Sequence, residues 1–118
     1  MRQHDIACVL SRSNEPFGLV SLEAMASGCA VVASNRGGLP EACDGAAAIA
    51  DPGDFAQVVN IMRKMVNQPE YLAELKQRAV ARAAEAAWSH SAELLQNAIE
   101  FQHDSHQAIG QLSLCASP

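Results

Sequence analysis

Ser11-Arg12-Ser13-Asn14-Glu15-Pro16-Phe17-Gly18-Leu19-Val20-Ser21-Leu22-Glu23 passes without interruption from a loop into a helical pattern, and the rest of the chain is read outward from it. Pro16 lacks an amide donor and holds Glu15 in an extended conformation, so residues 11–17 are predicted to be a loop. From Gly18 onward Leu19, Leu22, Met25 and Ala26 recur at helical spacing, and Gly28 stands where a left-handed residue ends a helix. Just before the loop, Asp5 to Leu10 is a short apolar run without alternation. Such a run predicts a strand covered on both faces, as in parallel sheets.

The same succession repeats downstream. Ala30-Val31-Val32-Ala33-Ser34 reads as a second buried strand, Asn35 to Pro40 as a loop, and Ala47 to Ala50 as a weak third strand. Alternating β and α elements imply the α/β class: a three-layer, Rossmann-like half-domain of three parallel strands flanked by helices. In the turn Asp51-Pro52-Gly53-Asp54, Asp54 is placed to cap a helix carrying Val58, Ile61, Met62 and Met65 on one face. Asn67-Gln68-Pro69 separates this helix from the next, Glu70 to Ala87, which is rich in good helix formers. Trp88 interrupts, and Ser89 is expected to cap a last helix striped with Leu94, Leu95, Ala98 and Phe101. Residues 1–103 are thus expected to form one domain, and residues 104–118, which lack a sustained period, a disordered tail.

A chain of 118 residues and 12.5 kDa has room for one core. With 49% hydrophobic and 18% charged residues it is globular, and its many alanines argue for close helix packing. The net charge of −5, with Lys64 and Lys76 the only lysines, leaves no basic stripe to neutralise a phosphate backbone, so nucleic acid is excluded as a partner. Cys8, Cys29, Cys43 and Cys115 show no Cys-x-x-Cys spacing. Three of them lie in apolar runs, which points to reduced, structural thiols and a cytoplasmic chain. There is no signal-like apolar segment behind a basic start and no run of about eighteen residues to span a bilayer. Attachment to a membrane surface is left to a further domain. His103 and His106 beside Asp104 have a metal-like spacing but no third ligand in a rigid segment, so no metal is expected.

The chemistry sits at the loop-to-helix junction. Glu15 precedes the helix and Glu23 lies about one turn inside it, so both can border the space in front of the helix start. Free amides around Gly18, Leu19 and Val20 carry the positive end of the helix dipole and suit a diphosphate. Gly18 would let a ligand come close to the backbone. A carboxylate beside a phosphate is repelled unless it accepts hydrogen bonds from hydroxyls, which fits a sugar on one side and a ribose on the other. The residues alone also allow Glu15 to be a solvated loop residue and Glu23 a surface helix residue. Gly37 and Gly38 are read either as loop contacts to the ligand or as a flexible turn. Arg12 and Arg36, at the carboxyl ends of strands, either touch phosphate or are solvated.

Glu15-Pro16-Phe17-Gly18 with Glu23 resembles the Glu-x-Phe-Gly…Glu signature of family 4 glycosyltransferases, enzymes of the GT-B fold. The similarity runs from about His4 to Trp88 and takes in Gly37-Gly38-Leu39-Pro40-Glu41, the Asp51–Asp54 turn and the Trp88-Ser89 pair. It implies that the chain is the C-terminal part of the nucleotide-sugar-binding domain. Glu15 would hold hydroxyls of the donor hexose at the catalytic centre, Glu23 would bind the ribose, and Phe17, Gly18, Leu19 and Val20 would meet the sugar and diphosphate. The implied activity is retaining hexosyl transfer from a nucleoside diphosphate sugar to a glycan, lipid or small acceptor, without cofactor or metal.

The family's amino-terminal acceptor domain, the first half of its nucleotide domain and the Arg and Lys that clamp its pyrophosphate have no counterpart here. The chain is therefore expected to be an inactive donor-binding fragment, completed by the acceptor domain or a partner chain. The alternative is a non-catalytic nucleotide-binding remnant or a subunit of a split enzyme. In the family sheet the first strand lies beside the one that Asp5 to Leu10 would form, so that edge is bare here and predicts self-association.

Overall fold

A computed structural model describes residues 3–89 and 91–100. Three strands, β1 (Ile6–Val9), β2 (Ala30–Ser34) and β3 (Ala48–Ala50), form one parallel sheet in the order β1-β2-β3, with Ile6 opposite Ala30 and Val32 opposite Ala48. Helix α1 (Leu19–Ala26) joins the first two strands and α2 (Leu39–Cys43) the second and third. Helices α3 (Phe55–Asn67) and α4 (Pro69–Glu85) follow. Because all strands run one way, the loops leaving Val9, Ser34 and Ala50 lie at one edge, together with the starts of α1 and α2.

The sheet separates two cores, as the period-two alternation of strand side chains requires. On one face Val31 and Ala33 pack with Met25, Leu39, Cys43 and Ala79 from α1, α2 and α4. On the other, Ala30, Val32, Ala48 and Ala50 pack with Met65 and Leu75, flanked by Val58, Ile61 and Met62 of α3. The α3 stripe is thus the one its spacing predicts. Asp54 caps α3 by accepting the Gln57 amide at 2.9 Å. Gly28, at φ 85°, closes α1 in the left-handed conformation its position predicts.

Four expectations need correction. The first strand meets a core on each face but is only partly covered: Ile6, Ala7 and Val9 are half-buried and Cys8 is exposed, because β1 is an edge strand while β2 is buried throughout. The apolar stripe expected on α1 holds for Met25, which is buried, and Leu22, which packs against the same core, but not for its other two residues. Its buried residues are Ser21, Ala24 and Met25, whereas Leu19 and Ala26 face solvent, since small side chains let α1 close onto its neighbours. The stretch read as the end of a loop contains α2, with Pro40 in its first turn where a missing amide costs nothing. Ser89 does not cap the last helix, because Trp88 and Ser89 are already helical and the Ser91 amide donates to the Ala87 carbonyl at 3.2 Å.

The first compact unit closes at Glu85, and Ala86 opens a second one in which residues 91–100 are helical. The expected boundary at residue 103, the tail, Phe101, the His103 and His106 pair and Cys115 lie outside the described residues. Among the described residues no helix is long and apolar enough to cross a membrane.

Met25 is fully buried and Val66 is 68% exposed. Met25→Ala is expected to lower stability by about 3 kcal/mol through a cavity, and Val66→Ala by less than about 0.5 kcal/mol. Urea denaturation of the two variants checks this, and comparable losses would contradict the packing described.

Candidate functional site

Gly18 is the hinge between loop and helix. It stands at φ 63°, in the left-handed region that favours glycine, and caps α1 without help from any side chain. Its carbonyl accepts three hydrogen bonds: from the Ser21 amide at 3.0 Å, the Leu22 amide at 3.3 Å and the Ser21 hydroxyl at 2.6 Å. The amides of Leu19 and Val20, in the first turn, have no such partner among the described residues, as the start of an α-helix dictates. No acidic side chain lies in that first turn.

The glycine was expected to make room for a ligand. The structure gives a further reason for it: a Cβ on Gly18 would lie 2.9 Å from Leu39 Cδ2 and 3.2 Å from the Ala42 Cβ. The helix starts of α1 and α2 are thus in van der Waals contact at this residue. Burial pushes the nearby Cys43 thiol up in pKa, with Ser21 and Arg82 opposing that rise.

Glu15 is half-buried, and its backbone is docked on the Gly37-Gly38 loop, with the Gly38 amide donating to the Glu15 carbonyl at 2.7 Å. This pair is therefore no loose turn. Phe17, Leu19 and Val20 are 74%, 51% and 44% exposed, an unusual concentration of large apolar side chains at a single helix start. Glu23 shares an exposed helical stripe with Leu19 and Ala26, in the second turn of α1. Arg12 is exposed on the same edge, while Arg36 is drawn across to Asp51 at 3.6 Å, linking the loops after β2 and β3.

A cavity of about 250 Å³ opens between the starts of α1 and α2, lined by Pro16, Phe17, Leu22, Gly38, Glu41 and Arg82 among others. Neither Glu15 nor Glu23 lines it. The structure therefore joins Glu15 to Gly37 and Gly38, and Gly18 to Leu39 and Ala42, but leaves Glu23 and Arg12 outside these contacts. A larger depression of about 750 Å³, lined by His4, Asp5, Gly28 and Lys76, lies at the opposite end of the sheet. Size does not make it the site, since none of the motif residues reaches it.

Residues 1–82 match the family model described as glycosyl transferases group 1. The chain belongs to this family. It is 38% identical over 98% of its length to D-inositol 3-phosphate glycosyltransferase 2 of Catenulispora acidiphila, of which it covers 27%. It is 36% identical over 69% of its length to the serotype-specific mannosyltransferase WbdA of Escherichia coli, covering 10% of that protein. Among solved structures, HepE of Anabaena in complex with UDP superposes with a TM-score of 0.70 and 27% identity over 81% of this chain and 28% of HepE. The structural neighbours are GT-B glycosyltransferases, so the three parallel strands and their helices are a partial Rossmann-like half-domain. The chain spans about a quarter of the length of the first curated relatives it matches.

Two side chains of this glycosyltransferase segment escaped the motif. Arg82 arrives from α4, donates from Nε to the Ala42 carbonyl at 2.8 Å and forms one wall of the cavity. Nothing local to position 82 marks it, because its partner is 40 residues away. Ser21 sits inside the motif, yet only the fold shows its hydroxyl turned back onto Gly18.

Ser21 and Ser34 are both fully buried, but the Ser34 hydroxyl has no hydrogen-bond partner among the described residues. Ser21→Ala is expected to destabilise by about 1 kcal/mol, whereas Ser34→Ala is expected to be neutral or stabilising by up to about 1 kcal/mol. Thermal unfolding of the pair decides it, and equal losses would refute the assignment of the Ser21 hydroxyl.

Proposed function

We propose that residues 15–23 form the donor half of a retaining, nucleotide-sugar-dependent glycosyltransferase centre. The observation that carries this is the left-handed start of α1 at Gly18, with the Leu19 and Val20 amides unbonded among the described residues and the backbone of an acidic loop residue, Glu15, anchored three residues earlier. Those amides face a diphosphate, aided by the helix dipole. Glu15 accepts hydrogen bonds from hexose hydroxyls at the reacting end of the donor, and Glu23, one turn further on, holds the ribose. Phe17, Gly18, Leu19 and Val20 provide the surface between the two. The family membership and the UDP named with the HepE structure support this reading.

The work asked of these groups is electrostatic. As the glycosidic bond of the donor breaks, negative charge grows on the departing diphosphate, and amides already aimed at it need no reorganisation to stabilise it. Binding by such neutral donors needs no metal ion. The acceptor site and further basic groups for the diphosphate come from a region outside these residues, in the same chain or a partner. Transfer of a hexosyl unit to a glycan, lipid or small acceptor is proposed for the assembled enzyme, and this segment alone is proposed to bind the donor without turning it over. The unpaired outer edge of β1 is proposed to make the isolated chain self-associate.

Titration of UDP-glucose and GDP-mannose into the chain, followed by NMR, tests the donor site. Glu23→Ala is expected to weaken the nucleoside diphosphate and its sugar conjugate alike, by about tenfold, since both carry the ribose. Glu15→Gln is expected to weaken only the sugar conjugate. EDTA is expected to leave both affinities unchanged. Undiminished binding by Glu23→Ala would end the ribose assignment, and static light scattering that is independent of concentration would end the self-association proposal.

A further inference from the structure

We propose that Gly38 is a positioning residue: by clamping the Glu15-Pro16 backbone it aims the Glu15 carboxylate, and so sets how strongly the site prefers a nucleoside diphosphate sugar over the bare nucleoside diphosphate. This rests on the donor-site reading above and names the element that gives the site its sugar preference.

Gly38 adopts φ −83° and ψ 0°, a conformation open to ordinary residues, so backbone freedom does not explain a glycine there. Proximity does. A Cβ at this position would stand 2.3 Å from the Pro16 carbonyl oxygen and 3.0 Å from its carbon. The obstacle is backbone, which no rotamer change can move aside. The Gly38 amide meanwhile donates to the Glu15 carbonyl at 2.7 Å, so the two loops are both in contact and bonded.

Of the two loops, that of Gly38 is the better anchored. Its carbonyl accepts the Ala42 amide at 2.9 Å inside α2, Leu39 beside it is fully buried, and Arg82 holds the far end of α2 through the Ala42 carbonyl. A side chain at position 38 is therefore relieved by displacement of Glu15 and Pro16. Gly37 adds a second lock, with a Cβ there 2.5 Å from the Glu15 carbonyl oxygen and 2.6 Å from its nitrogen. Gly37 stands at φ 56°, however, so its replacement would mix strain with crowding, and Gly38 is the cleaner probe. One residue beyond Phe17, Gly18 is closed against Leu39 and Ala42 as well. The loop is thus fixed on both sides of Phe17, and the backbone of Glu15, from which the carboxylate extends, keeps its height relative to the Leu19 and Val20 amides.

A double-mutant cycle on the 118-residue chain tests this, with affinities for UDP against UDP-glucose and for GDP against GDP-mannose as the readout. In wild type the sugar conjugate of one pair is expected to bind about tenfold more tightly than its nucleotide. Gly38→Ala and Glu15→Gln are each expected to abolish that preference while leaving nucleotide affinity within about twofold, and the double variant to add nothing further. Gly45→Ala is the control for destabilisation alone. At φ 76° it strains the backbone, no atom lies within 4 Å of its added Cβ, and the preference is expected to survive. Faster amide exchange at position 38 in Gly38→Ala is expected alongside. Retention of the preference in Gly38→Ala, or additive losses in the double variant, overturns the clamp and leaves the donor site standing. A wild-type chain that binds no pair overturns the donor site itself and the role of Gly38 with it.

Discussion

The closest approach on which this structure depends is between two stretches of bare backbone. The Gly37-Gly38 loop after β2 lies so near Glu15 and Pro16 that neither glycine has room for a Cβ, and the Gly38 amide bonds the Glu15 carbonyl across the gap. Everything at the carboxyl edge of the sheet takes its place from this contact. It brings the loop after β1 over the start of α2, which seats Gly18 on Leu39 and Ala42, which in turn fixes where α1 begins. A helix start has no position of its own, since its amides point wherever the preceding loop lets the axis lie. Here the preceding loop is held by its neighbour.

The rest of the core is arranged to keep that neighbour still. Strand β2 is buried over its whole length and built of residues no larger than valine, and α1 turns Ser21 and Ala24 inward with Met25 fully buried and Leu22 half-buried beside them. Small residues let the layers approach closely, so α4 can reach both cores, with Leu75 on one side and Ala79 on the other. From this position Arg82 supplies a cation to the last turn of α2, where a positive charge meets the negative end of the helix dipole. The short helix α2 is thereby fixed at its start by buried Leu39 and near its end by α4.

What was legible in the sequence divides along the same line. The left-handed stop at Gly28, the cap at Asp54 and the face of α3 were readable because each is decided within a few residues. The parallel sheet was readable because runs such as Ala30 to Ser34 have no polar face to show to water. The inward face of α1 was legible only in Leu22 and Met25, because apolar spacing also favoured Leu19 and Ala26, whereas the partners that select Ser21 and Ala24 come from α2 and α4. Helix α2 was hidden by a proline that looks like a breaker unless its first-turn position is known. The pairing of Gly38 with Pro16 joins positions 22 residues apart and leaves no mark at either, beyond a glycine that a turn would explain equally well.

Charge completes the division of labour. The segment carries a net −5, and the motif places Glu15 and Glu23 on either side of the helix start. Of the arginines at this end, Arg36 faces Asp51 and Arg82 is held by the Ala42 carbonyl and by Glu85 at 3.6 Å. Both are thereby engaged, which leaves Arg12, exposed on the same edge, as the arginine at this end without such a contact among the described residues. On the donor-site reading proposed above, what α1 itself offers an anion is the pair of neutral amides at Leu19 and Val20, whose pull is short-ranged and directional. On the same reading, carboxylates beside such a weak anion site are tolerable when hydroxyls stand between them and the phosphate, and they would then disfavour a phosphate that arrives without its rings. On that reading the segment would choose the rings of the donor, with the long-range attraction of a dianion supplied by Arg12 and by the further basic groups proposed above.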